Sequence, residues 1–335
     1  MISKVKIIAE AGVNHNGDLN LAKKLIDIAK DSGADFIKFQ LFKAEELVTK
    51  KAKKAKYQIK INKSKETQFD MLKKLEISQS HYKKILRYSK KKNIKCFSTA
   101  FDKESLFFLK QLGQPLFKVP SGEITNYPFL KTIGSFKSSV ILSTGMSNLE
   151  EISKAIKVLI KFGTKKKNIT VLHCTTEYPA PINEVNLKAM IDIKKNFSIS
   201  VGYSDHTSGI EVSQAAVSLG AEIIEKHFTL NKKLPGPDHK ASLEPKELKT
   251  MIFNIRNIEK ALGKEQKKVT KSEKKNRLII RKSIVAKREI KKGHILKEKD
   301  LTVKRPGTGI SPMNWTKVIG SKAKKNYEKD ELISL

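Results

Sequence analysis

Polar side chains able to bind or move charge recur at the ends of short, β-branched runs. Glu10 and His15 follow the first run, Lys38 and Gln40 close the second, and Ser98 and Thr99 the third. Lys118, Ser121 and Glu123 come at the fourth, Ser143 and Thr144 at the fifth, and His173, Thr176, Glu177 and Tyr178 at the sixth. The seventh ends in Tyr203, Ser204, Asp205 and His206, the eighth in Glu225, Lys226 and His227. One such residue is readily a satisfied structural group, but a polar group at every run's end points to a site for a polar, anionic ligand. Lys38 and Lys118 are the sharpest signals, because Phe36, Ile37 and Phe39 flank one and Leu116, Phe117 and Val119 the other. A strand lysine facing an interior has to be paired or bind an anion, since an unpaired buried charge is too costly; the alternative is an outward, snorkelling side chain. With Ser121, Ser143, Thr99 and Ser204 as hydroxyl donors, the two lysines make a cradle for phosphate or carboxylate.

His206 and His227 end adjacent runs, so their imidazoles can converge on one divalent ion, with Glu10, Glu123 and Asp238 as oxygen candidates. Two histidines alone are a thin metal signal. His15 and His173 are second-rank candidates, His239 lines or shapes the site, and His81 and His294 read as surface residues. The only two cysteines, Cys96 and Cys174, exclude a disulfide scaffold, read as inert buried thiols and suit a reducing, cytoplasmic setting.

The elements that would position these groups alternate along the chain. Strand-like runs fall at 6–11, 35–40, 94–100, 116–121, 140–144, 169–175, 198–204 and 222–228, with amphipathic stretches between them. Ala22, Leu25, Ile26 and Ala29, for example, follow the helical spacing. Eight strand–helix pairs over about 260 residues predict a (β/α)₈ TIM barrel. A doubly wound sheet would have fewer strands and a Gly-rich first turn, which the segment from Glu10 to Gly17 is not. Residues 41–78 exceed an ordinary loop and predict an insertion on the active-site face with a helical piece at 66–75. The barrel is expected over 1–262, a linker over 263–280, and a small, mostly β domain over 281–335.

The chain has 335 residues, with 68 Lys plus Arg against 34 Asp plus Glu, a formal charge of +34. That balance invites a polyanion partner, but only Arg87, Arg256, Arg277, Arg281, Arg288 and Arg305 are arginines. Proteins that read phosphate geometry lean on bidentate arginine, whereas scattered lysine is a diffuse, solvated coat. No nucleic-acid partner is expected from this pattern, and no stretch is apolar enough for a membrane span or a signal peptide.

The motifs carry a resemblance. The runs Glu10 to Asp18, Lys38 to Gln40, Phe97 to Thr99, Lys118 to Glu123, Ser143 to Met146, His173 to Pro179, Gly202 to Thr207 and Glu225 to Thr229, with Gly236 to His239, resemble the bacterial sialic acid (N-acetylneuraminate) synthase family. The tail from Arg281 through Lys304, Arg305, Pro306 and Gly307 to Pro312 is similar to that family's antifreeze-like SAF domain. The resemblance implies a metal-dependent condensation of phosphoenolpyruvate with N-acetylmannosamine and water, giving N-acetylneuraminate and phosphate. A legionaminate or pseudaminate synthase acting on a diacetamido-trideoxy sugar is the same-class alternative, since the strand-end motifs do not discriminate the sugars. A basic polyanion binder is the alternative from another class.

By the same resemblance, Lys38, Thr99, Lys118, Ser121, Ser143 and Ser204 hold phosphoenolpyruvate. His206 and His227 hold Mn²⁺ or Mg²⁺, and Gln40, Glu123, Tyr178, Asp238 and Arg305 contact the sugar. Arg305 would do so across a domain-swapped homodimer. Glu10 or Glu123 is the catalytic carboxylate near C2 of phosphoenolpyruvate, where it stabilises developing positive charge or takes a proton from water. Two departures stand out: Ala100 replaces a proline common in the family, and Thr176 stands where some members have asparagine.

Overall fold

The computed structural model describes residues 4–54 and 66–335. The chain divides into two compact units, Met1–Gly263 and Lys264–Leu335. In the first unit, eight strands form a parallel barrel: β1 (Lys6–Gly12), β2 (Phe36–Leu41), β3 (Lys95–Ala100), β4 (Leu116–Val119), β5 (Ser139–Ser143), β6 (Ile169–His173), β7 (Ser200–Asp205) and β8 (Ile223–His227). Their order is β3-β2-β1-β8-β7-β6-β5-β4, and β3 lies against β4 to bring the sheet round on itself. That last seam is stitched by a side chain. The Gln114 amide accepts from Ser98 N at 2.9 Å and donates to Ser98 O at 3.0 Å and Leu116 O at 2.9 Å, standing in for ladder bonds between β3 and β4. The (β/α)₈ expectation therefore holds.

Alternation along each strand decides what enters the barrel. Ile8, Phe97, Ile141, Leu172 and Ile223, with Phe36 and Leu116 against them, form an apolar plug inside. Ile7, Ala9, Ile37, Phe39, Val140, Leu142, Val201 and Tyr203 pack outward against the helices. The helix Leu19–Asp31 shows why the pattern folds this way: it buries Ala22, Leu25, Ile26 and Ala29, and the Asp18 carboxylate caps it by accepting from Asn20 N and Leu21 N. One turn further along the inward face, the plug gives way to charge, at the C-terminal strand ends.

The expected insertion over 41–78 holds the short helix Ala44–Leu47 and the helix Gln68–Leu75; its residues 55–65 lie outside the described ones. Among the described residues, no helix is long and apolar enough to cross a membrane. The stretch 263–280, expected as a linker, contains a helix, Lys271–Ile280, opened by a capping box between Thr270 and Glu273. In the second unit, β9 (Ser283–Ala286) pairs antiparallel with β10 (Leu301–Lys304), and isolated bridges join Val285 to Leu332 and Ile290 to Tyr327. Ile284, Ala286, Ile290, Leu296, Leu301, Val318, Ala323, Tyr327 and Ile333 make its core. Its buried Asp300 accepts from Arg288, His294 and the Lys297 amide, which ties three turns together.

Candidate active site

Four charged side chains meet at the C-terminal ends of the strands, inside the barrel. Lys38 Nζ on β2 stands 2.8 Å from Glu10 Oε2 on β1, 3.0 Å from Thr99 Oγ1 on β3 and 3.6 Å from Glu225 Oε2 on β8. Lys118 Nζ on β4 donates to Glu225 Oε1 at 2.7 Å, and Ser204 Oγ on β7 donates to the same oxygen at 2.9 Å. Gln40 Nε2 reaches Glu10 Oε1 at 3.3 Å. Both lysines therefore face inward, and each is paired. Glu225, which no sequence argument gave a role, is the hinge of the cluster. Its signal was the alternation Ile223, Glu225, His227 on one strand face.

Burial works against every charge here, and the pairings decide the outcome. Burial alone would lower the Lys38 ammonium, yet Glu10 and Glu225 outweigh it and hold Lys38 above the usual lysine value. Lys118 falls below that value through burial, with Glu225 opposing and Lys38 reinforcing the drop. Burial pushes the Glu10 carboxyl up; Lys38 opposes this and Glu225 adds to it. Glu225 is also buried, but Lys118 and Lys38 hold its carboxylate well below the usual range. Two carboxylates pushed in opposite directions are the arrangement that separates a proton carrier from a permanent anion.

Above this layer sit His206 and His227, their ring centroids 5.8 Å apart. The Thr175 carbonyl accepts from His206 Nδ1 at 2.6 Å, which leaves Nε2 with its lone pair inward, 3.1 Å from the Tyr178 hydroxyl. Burial lowers His206 to about 4, and lowers His227 as well, with His206 and Lys38 adding to the effect. Both rings are thus neutral near pH 7. His227 Nδ1 is buried without a hydrogen-bond partner, 3.8 Å from Asp238 Oδ2. Gly12, at φ +52°, passes so close that a Cβ there would stand 3.2 Å from His227 Cε1 and 3.4 Å from Gln40 Nε2. Burial, then Glu10, raises Asp238 to about 7.

On the β4–β6 side, Ser121 Oγ accepts from the Gly145 amide at 3.0 Å and lies 3.3 Å from Cys174 Sγ. Ser143 is buried at the end of β5. The loops after β5 and β6 line an open cleft of about 830 Å³, with Thr144, Met146, Thr176 and Glu177 among its walls.

The structure thus brings Glu10, Lys38, Gln40, Thr99, Lys118, Tyr178, Ser204, His206, His227 and Asp238 into one connected set. Glu123 sits on the turn Ser121–Glu123, where its carboxylate accepts from Asn126 Nδ2 at 2.6 Å. Arg305 belongs to the second unit, where its Nε donates to Ile280 O at 3.0 Å. Two of the other histidines, the second-rank His173 and the loop residue His239, do other work. His173 faces outward to Tyr203 and the Val185 carbonyl, and His239 is locked between Thr229 and Asn16. Among the described residues, no group of three or more His, Cys, Asp and Glu side chains gathers at metal-binding spacing. A closed metal cage is therefore absent from the described residues. Two neutral imidazoles, one with an orphaned buried nitrogen, fit instead an ion whose other positions stay open to water and substrate.

Comparison with known proteins follows the same two units. The NeuB family matches residues 25–267 and the SAF domain matches residues 281–335. N,N'-diacetyllegionaminic acid synthase of Campylobacter jejuni is 59% identical over 99% of this chain and 99% of its own. The synthase of the same description from Legionella pneumophila is 46% identical over 96% of this chain and 90% of its own. The crystal structure of N-acetylneuraminic acid (sialic acid) synthetase from Leptospira borgpetersenii, in complex with citrate, superposes with a TM-score of 0.72 at 36% identity, covering 82% of this chain and 90% of that one.

Proposed function

The chain belongs to the NeuB family, and from that premise we propose that it is a synthase joining phosphoenolpyruvate to an open-chain diacetamido-trideoxy sugar, with N,N'-diacetyllegionaminate and phosphate as products. The observation that carries the chemistry is the interior cluster of Lys38 and Lys118 with the Thr99 and Ser204 hydroxyls, beneath two neutral imidazoles. Buried ammonium and hydroxyl donors on four strands suit a small ligand with both phosphate and carboxylate. In this reading Lys38, Thr99, Lys118, Ser121, Ser143 and Ser204 hold phosphoenolpyruvate, and Gln40, Glu123, Tyr178 and Asp238 face the sugar. The bound acid takes over part of the role that Glu10 and Glu225 play toward the lysines.

C3 of phosphoenolpyruvate forms the new bond to C1 of the sugar, water adds at C2, and the C–O bond to phosphate breaks. In this reading Glu10, lifted by burial and beside Lys38, accepts the proton from that water. His206 and His227 would hold a divalent ion, Mn²⁺ or Mg²⁺, which supplies Lewis-acid polarisation of the sugar aldehyde. Burial keeps the His206 ring neutral, and Tyr178 and the Thr175 carbonyl keep it aimed.

The choice of sugar rests on the Campylobacter and Legionella relatives, and it displaces N-acetylmannosamine, the acceptor implied by the family resemblance. The N-acetylmannosamine reading keeps the support of the Leptospira structure. Phosphate release should require phosphoenolpyruvate, sugar and divalent ion together, should stop with EDTA and should return with Mn²⁺. Release without sugar, or release indifferent to EDTA, would contradict the proposal.

A further inference from the structure

The faces of β7 and β8 opposite the site carry a second charged pair. Asp205 and Lys226 are register partners on these adjacent strands, and each is flanked by inward residues: Ser204 and His206 around one, Glu225 and His227 around the other. Their side chains are 0% exposed on both sides, with Lys226 Nζ 3.0 Å from Asp205 Oδ2. Lys226 Nζ also donates to the Thr207 carbonyl at 2.6 Å. Asp205 Oδ1 accepts from Thr207 N at 2.9 Å and Thr207 Oγ1 at 2.7 Å, and Oδ2 accepts from Ser213 Oγ at 2.6 Å. Asp205 Oδ1 and Lys226 Nζ thus both hold Thr207, on the turn that follows His206, while Oδ2 ties the pair to the helix Glu211–Ser218.

A buried ion pair is a poor way to gain stability, because two apolar side chains of similar volume do as well or better. What apolar residues cannot do is fix both the N–H and the C=O of Thr207. That turn needs fixing: β7 ends at Asp205, so His206 stands where ladder bonds have stopped. The Ala180 amide donates to the His206 carbonyl at 2.8 Å on one side, and the Thr207 clamp holds the other. Lys226 in turn anchors the clamp to β8, one residue before His227. We propose that Asp205 and Lys226 are a positioning pair that sets the spacing and aim of His206 and His227. As a statement about metal affinity this rests on the reading of those histidines as ligands; as a statement about ring placement it does not.

The test is the double variant Asp205→Asn/Lys226→Met, which removes both charges without stranding either. The control is Arg256→Met, which breaks the Arg256–Asp35 pair (2.6 Å) at the opposite end of the same barrel. Two readouts apply: the Mn²⁺ dissociation constant from the EPR signal of free ion, and the imidazole resonances of ¹⁵N-histidine-labelled protein without metal. The double variant should bind Mn²⁺ at least tenfold more weakly and shift the His206 Nδ1–H resonance. Arg256→Met should lose stability yet leave both readouts at their original values. A folded double variant with unchanged Mn²⁺ affinity and unchanged imidazole resonances overturns the proposal. If the parent protein binds no Mn²⁺, the metal reading falls, and the imidazole resonances still decide the positioning role. If the double variant does not fold, Thr207→Val, which deletes one hydrogen bond of the clamp, must shift the same resonance or the proposal fails.

Discussion

Replacing Glu225 with glutamine probes the interior cluster with almost no change in volume. The carboxylate stands 2.7 Å from Lys118 and 3.6 Å from Lys38 and accepts from Ser204. An amide keeps the shape and one acceptor but removes the charge. Lys38 retains Glu10 at 2.8 Å; Lys118 pairs with no other carboxylate among the described residues. Removing one partner of a buried pair costs about 3–5 kcal/mol. That is a large share of a total stability of about 5–15 kcal/mol. Lys118, already lowered by burial, moves down further, so the native state binds fewer protons than the unfolded chain from that lowered value up to about 10.4. Stability then rises with pH across that window, so Glu225→Gln should recover part of its loss between pH 7 and about 10, just below the unfolded value. A bound anion replaces the missing charge: phosphoenolpyruvate at 100 times its dissociation constant adds about 2.7 kcal/mol. Urea unfolding followed by circular dichroism, at both pH values and with and without phosphoenolpyruvate, reads all three effects. A variant with the parent's midpoint at pH 7, or a loss indifferent to pH, would refute the reasoning.

Other perturbations test other parts of the site. Asp238, raised from 3.8 to about 7, binds a proton that the unfolded chain has lost, so the protein should lose up to about 4 kcal/mol as pH rises through that interval. Asp238→Asn should flatten this dependence in melts from pH 5 to 8; parallel profiles would contradict the assignment. A Cβ on Gly145 would fall 2.0 Å from Thr176 Oγ1 and 2.9 Å from Ser121 Oγ, so Gly145→Ala should raise the KM for phosphoenolpyruvate at least tenfold. An unchanged KM in phosphate-release assays would remove Ser121 from the cradle. Gln114→Ala strips three backbone groups at the β3–β4 seam of their partner and should cost about 3 kcal/mol, with faster hydrogen exchange at the Ser98 amide; unaltered exchange would show the seam needs no stitch.

Strands were legible because apolar alternation and length agree, and the expected and observed ranges of β1 to β8 differ by only a residue or two at most ends. The inward aim of Lys38 and Lys118 was legible from their apolar neighbours, since only a paired or ligand-binding lysine survives there. What the sequence hid was pairing. Glu225 looked like one more strand-end residue, because its link to Lys118 spans 107 positions and needs the barrel to close before it exists. Lys226 and Asp205 were hidden for the same reason. The helix Lys271–Ile280 was masked by a charged composition, although Thr270 and Glu273 already spell its capping box. His173 ends a strand as a catalytic residue would, but strand parity turns it outward to Tyr203.

The acceptor sugar distinguishes this synthase from its N-acetylmannosamine-using alternative. Purified protein given phosphoenolpyruvate, Mn²⁺ and either N-acetylmannosamine or the diacetamido-trideoxy sugar should release phosphate from both mixtures unequally. The kcat/KM should be at least tenfold higher for the diacetamido sugar, with a nine-carbon keto acid as product. Equal values, or a preference for N-acetylmannosamine, would contradict that choice of sugar.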